Sequence, residues 1–185
     1  MYASKTEICS AALLALGQDP INSIDDQNER ARLCKQLYEM VLDDELSLHR
    51  WKVARKRASL AKEAATPAFG WAYQYALPSD CLRVLSMAND VDYEIEGALL
   101  LTNDTSANII YLYRNATVGA YGPGLTSALV ARMAAELAMP VTKKDSIVKA
   151  AWAAYWSKIG QAIAADGQQG AVEVIEDRTL VDARK

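Results

Sequence analysis

The strongest constraint in this sequence is a change of residue alphabet along the chain. Residues 5–50 and 124–166 are rich in Ala, Leu, Lys and Glu, which lose little on entering a helix. Residues 68–118 carry Tyr, Val, Ile, Thr, Asn and Gly, which suit short strands and tight turns. A chain written this way closes a helical layer from its two ends and holds a β section between them. The expectation is an α+β protein, mainly a helical bundle of four helices, two at each end of the chain, with an inserted small antiparallel β section. At 185 residues one domain over 1–170 is enough. It divides into a helical hairpin (5–50), a β-rich section (51–118) and a helical pair (124–166), followed by a C-terminal tail at 171–185.

Local signals fill in this outline. Ser4 and Glu7 have capping-box spacing, and Ile8, Ala11, Ala12, Ala15 and Leu16 share the face of the helix they open. Gly17 is its natural stop, with Pro20 beyond. Asp26 with Glu29 predicts the start of a long helix to about Leu48, striped by Ala31, Cys34, Leu37, Tyr38 and Val41. From Trp51 to Ala61 neither period fits cleanly, and a strand is favoured over a helix by the loop signals Thr66-Pro67 and Phe69-Gly70 that follow. Further strands are expected at Tyr73–Leu77 and Cys81–Met87, around a Pro78-Ser79-Asp80 turn. Tyr93–Glu96 and Leu99–Thr102 read as a hairpin, and Asn108–Arg114 is the strongest strand. Leu125, Leu129, Met133 and Leu137 predict a helix stopped by Pro140. Thr142 with Asp145 would cap the last one, which carries Val148, Trp152, Tyr155, Ile159 and Ile163. Residues 171–185 show no amphipathic pattern and read as an extended or disordered tail.

Chemistry is sparse. The single histidine, His49, stands where a helix C-terminus favours a cation. Asp43, Asp44 and Glu45 are the densest acidic group, but neighbours on a helix point about 100° apart. They read as a solvated face or an inter-subunit charge contact. No phosphate-binding loop or metal-binding helix signature is present, so neither a cofactor nor a metal is expected. The odd cysteine count, Cys9, Cys34 and Cys81, suggests reduced thiols in a cytoplasmic product, the first two buried as small hydrophobes. No apolar run approaches the roughly 20 residues of a membrane span. Net charge −3 opposes wholesale coating of nucleic acid. What stands out is Arg50, Lys52, Arg55, Lys56, Arg57 and Lys62, six cations with no acid among them. They suit an acidic protein partner, a phosphate backbone, or an edge strand kept from aggregating. Trp51 and Trp71 near this patch could stack bases but read as core or interface residues, and Trp152 and Trp156, four apart on the last helix, read as packing residues.

The landmarks also form an ordered series. Thr6-Glu7-Ile8-Cys9-x-x-Ala12-Leu13-x-x-Leu16-Gly17 is followed by Ile21-Asn22-Ser23-Ile24-Asp25-Asp26 and Arg32-Leu33-Cys34-x-x-x-Tyr38. Then come Trp51, Ala54 and Arg57-Ala58-x-Leu60-Ala61, and Tyr73-x-Tyr75-x-Leu77-Pro78-x-Asp80-Cys81-Leu82-Arg83-Val84. Ala128-Leu129-x-x-x-Met133-Ala134-x-Glu136-Leu137-Ala138-x-Pro140 closes it. Over roughly 5–165 this series resembles tail tubular protein A, the head-to-tail adaptors of short-tailed phages. The resemblance implies a non-enzymatic virion protein at the head–tail junction, made in the host cytoplasm. It implies a ring, usually of twelve copies, between the portal protein and the tail tube (nozzle) protein, with DNA only as passing cargo and no membrane. It carries over no catalytic residue. The partner-binding residues expected are Arg50, Lys52, Arg55, Lys56 and Arg57, with Glu173, Glu176 and Asp177 in the tail. A small nucleic-acid-binding module using residues 50–62 is the alternative.

Overall fold

A computed structural model describes residue 2 and residues 4–168. Glu173, Glu176 and Asp177, and the tail to which they belong, lie outside the described residues. Four helices stand at the two ends of this span: α1 (Lys5–Ala15), α2 (Glu29–Leu48), α3 (Pro123–Thr142) and α4 (Asp145–Gly167). Six strands lie between them: β1 (Arg55–Leu60), β2 (Tyr73–Ala76), β3 (Cys81–Met87), β4 (Tyr93–Glu96), β5 (Leu99–Thr102) and β6 (Ala107–Tyr113).

The first helix starts and stops as its sequence dictates. The Ser4 hydroxyl accepts from the Glu7 amide at 3.2 Å. Gly17 takes φ +70, and the Gly17 and Gln18 amides close back onto the Leu14 and Leu13 carbonyls, each at 3.0 Å. Other boundaries differ from expectation. The strand expected from Trp51 begins only at Arg55, because Lys52–Ala54 form a short 3-10 turn in which the Ala54 amide donates to the Trp51 carbonyl at 3.1 Å. Asn28, not Asp26, caps α2, accepting from the Ala31 amide at 2.9 Å. Asp26 is occupied one turn earlier by the Asn22 and Ser23 amides. Pro140 does not stop α3; the helix runs to Thr142 and ends where Lys143 turns left-handed at φ 54. A proline costs its own N–H but can be carried near a helix end packed on a neighbour. Thr142 is therefore the last residue of α3, its hydroxyl donating to the Ala138 carbonyl at 2.6 Å, rather than the cap of α4.

The strands form two three-stranded antiparallel sheets, ordered β1-β6-β3 and β2-β5-β4. A single bridge, Lys62 to Tyr75, joins them at a corner. This corrects the expectation of a mainly helical bundle carrying a small β insert. The protein is α+β, with a β section that has a core of its own. Tyr75, Met87, Leu100, Ala107, Ile109 and Tyr111 are buried together there. The central strand β6 explains why the section is substantial. Ile109 and Tyr111 enter that core, while Leu112 enters the helical core with Trp51, Leu129 and Tyr155. One sheet is thus shared by two cores, which short strand lengths alone do not reveal.

In the helical layer α3 is the hub. It pairs with α4 along its length and also takes α1 and α2. Close approach is enforced at Gly124, where an added Cβ would sit 3.2 Å from the Ala162 Cα. α1 lies mainly on α3, touching α2 through neighbouring Cys9 and Cys34 and a Lys5–Glu39 ion pair at 3.7 Å.

Candidate interaction surfaces

Charge is deployed differently in the two halves. In the helical layer one cluster is drawn inward, while Lys5, Lys35, Glu39 and Asp44 stay at the surface. Glu45 of α2 is fully buried; its Oε1 accepts from the Tyr155 hydroxyl at 2.7 Å and from Arg132 at 3.3 Å. Arg132 also reaches Asp44 at 3.3 Å and Glu136 at 2.9 Å, and its guanidinium lies over the rings of Trp152 and Tyr155. The Glu45 backbone carbonyl accepts from the buried Trp51 indole at 2.6 Å. Three helices and the entry to the sheet are tied at this one residue. Burial raises the Glu45 carboxyl above the usual range, against the bonds from Tyr155 and Arg132 that lower it. Burial and the Glu45 bond push the Tyr155 hydroxyl up to about 12.

This corrects the sequence reading of Asp43-Asp44-Glu45 as a solvated or inter-subunit face, but at Glu45 alone; Asp44 stays exposed and Asp43 half-buried at the surface. Asp43 pairs with Arg114 at 2.6 Å, and Asp44 and Glu45 share Arg132. Neighbouring carboxylates diverge on a helix, but a guanidinium fork is wide enough to take both. The tryptophans also divide. Trp51 is buried, Trp152 packs edge-on to Tyr155, and Trp156 stays 61% exposed beside Leu48, Arg83 and Arg132. His49 ends α2 and meets Asp166 at 3.3 Å. Among the described residues, no group of three His, Cys, Asp or Glu side chains could hold a metal ion.

The basic stretch is less concentrated than its sequence suggests. Lys52 donates to the Asp166 carbonyl. Lys56 pairs with Asp80 at 2.7 Å and covers the Tyr113 ring, and Lys62 covers Tyr73. The Lys56 bond holds the Asp80 carboxyl below its usual range and raises the Lys56 ammonium. Arg50, Arg55 and Arg57 remain exposed, the latter two on one face of β1. Two apolar features, invisible to periodicity, complete the surface. Phe69 is 88% exposed in the loop before β2. An open apolar groove of about 670 Å³ runs between α1, α3 and α4, lined by Leu16, Val130, Ala134, Ile147, Ala151 and Ala154.

Among the described residues no helix is long and apolar enough to cross a membrane. The chain matches no protein-family model and no curated protein.

Proposed function

We propose that this chain is a non-enzymatic structural adaptor that assembles head to tail into a ring, of the kind that joins a phage portal to its tail tube and lets DNA pass. The ordered landmarks over residues 5–165 and their resemblance to tail tubular protein A carry this reading. A ring subunit needs two dissimilar faces that fit each other in the next copy. The helical layer offers an apolar groove and exposed Trp156 and Leu48, and the β section offers exposed charge and Phe69, so two unlike faces are available. The buried polar cluster has the character of a structural tie: Glu45 Oε1, Tyr155, Arg132 and Glu136 bond one another across α2, α3 and α4, with Glu45 Oε2 left without a partner among the described residues. Such a ring would place the basic stretch toward a protein neighbour, since cations lining the channel would retard DNA.

The nucleic-acid alternative draws on the same stretch but loses Lys52, Lys56 and Lys62 to internal partners. The discriminating experiment is the mass of the purified chain alone and after mixing with portal rings of a short-tailed phage, beside a DNA titration in salt. The adaptor reading expects a closed multi-copy species and no steep salt-dependent DNA affinity. A persistent single copy under every condition, with tight salt-sensitive DNA binding, would overturn it.

A further inference from the structure

Two three-stranded sheets have four edges, and the structure treats them unequally. The β3 edge is broken by two register shifts, between Cys81 and Arg83 and between Val84 and Ser86. Bulges of this kind keep an edge from accepting another strand. The β2 edge is already engaged, by the Lys62–Tyr75 bridge and by the Glu63 amide donating to the Gln74 carbonyl at 2.9 Å. That leaves β1 and β4. Both are paired on one side in unbroken register, β1 with β6 and β4 with β5, and no described strand lies on the other side. An unpaired, regular edge is a template for an added strand.

The two open edges carry opposite charge. On β1, Arg55 and Arg57 share one face. On β4, Glu94 and Glu96 share one face, and exposed Asp90 and Asp92 extend the acidic run. Side chains two apart on one strand meet side chains two apart on the next. In an antiparallel arrangement Arg55 stands opposite Glu96, Arg57 opposite Glu94, and Lys56 opposite Ile95. Glu94 also accepts from the Trp71 indole through Oε2 at 3.0 Å.

We infer that the basic β1 edge of one copy pairs antiparallel with the acidic β4 edge of the next, extending the sheet from copy to copy. This rests on the ring reading and gives it a direction, since a β1–β4 contact is heterologous and propagates head to tail. Like copies of either edge repel, so the symmetric pairings are excluded by the same charges. A four-residue ladder is short, so the contact selects register and neighbour while the helical faces supply further area.

The test uses full-length chains in low salt, with mass measured alone and on portal rings of a short-tailed phage, and with circular dichroism to verify the fold. Arg55→Glu with Arg57→Glu leaves two acidic edges, and Glu94→Arg with Glu96→Arg leaves two basic edges. Each double variant alone should associate at least about tenfold more weakly than wild type. An equimolar mixture should recover assembly, because every β1 edge again finds an opposite β4 edge. Wild-type assembly undiminished by either reversal, or a block that the mixture does not relieve, overturns the edge pairing and leaves the ring reading standing. A wild-type chain that stays a single copy in both settings overturns the two together.

Discussion

The helical layer holds one charged cluster in its interior, whereas the β section carries its conspicuous charges on open edges. In the helices, Glu45, Arg132 and Tyr155 are folded into the interior, where each bond they form is one that water would otherwise supply. In the β section, Arg55, Arg57, Glu94 and Glu96 stand outward on edges of regular register. The lesson is that the most conspicuous charge in a sequence and the most consequential charge in the fold need not coincide. Six cations in thirteen residues draw the eye, yet a single glutamate in an acidic triplet anchors three helices.

The contrast is open to direct attack, beginning where the largest effect is expected. Trp51→Ala should cost about 3–5 kcal/mol in urea unfolding, since it empties a fully enclosed site and orphans the Glu45 carbonyl. A loss under about 1 kcal/mol would mean that the junction of helices and sheet is loosely packed. Glu45→Ala should cost about 3 kcal/mol, because it strips Arg132 and Tyr155 of their shared partner.

Glu45→Gln sharpens the point through pH. The folded carboxyl holds its proton more tightly than its ordinary value of 4.5, so folding takes up a proton between that value and the raised one. The contribution of this residue is therefore full below about 4.5, falls as pH rises through the raised value, and is level above it. Unfolding free energy of wild type minus that of Glu45→Gln should decline over that window. A flat difference would show that the carboxyl titrates normally.

Effects should shrink in the β section. Tyr75→Phe removes one hydroxyl donating to the Asp104 carbonyl at 3.0 Å and should cost about 1 kcal/mol in the same denaturant series. Lys56→Ala breaks an exposed pair with Asp80 and should leave the melting temperature within about 2 °C of wild type. A larger fall would place this lysine in the fold's support and erase the contrast between the two regions.

Much of the secondary structure was legible because its causes are local. The Ser4 cap, the Gly17 stop, β3 at Cys81–Met87 and the Tyr93–Thr102 hairpin all follow from neighbouring residues. The errors came where two residues could do one job. Asp26 and Asn28 are both good caps, and Pro140 is a stop only if nothing holds the helix beyond it. The basic stretch was found as a run, but its division into engaged lysines and free arginines depends on Asp80, Tyr113, Tyr73 and Asp166, all distant in the chain. The apolar groove was illegible for a similar reason, since it is assembled from one face each of three helices.

The sequence by itself determined the order of helices and strands and, although in α1 Ala15 is exposed and Cys9 and Leu13 are buried instead, most of the stripes that face inward. These are set by side-chain chemistry and by periods of 3.6 and 2, which need no partner to be defined. Only the tertiary structure decided that β6 serves two cores, that β1 and β4 are left open, and that Glu45 is interior. Burial of a carboxylate is tolerable only with its partners in place, and here they arrive from positions 132 and 155 on two other helices.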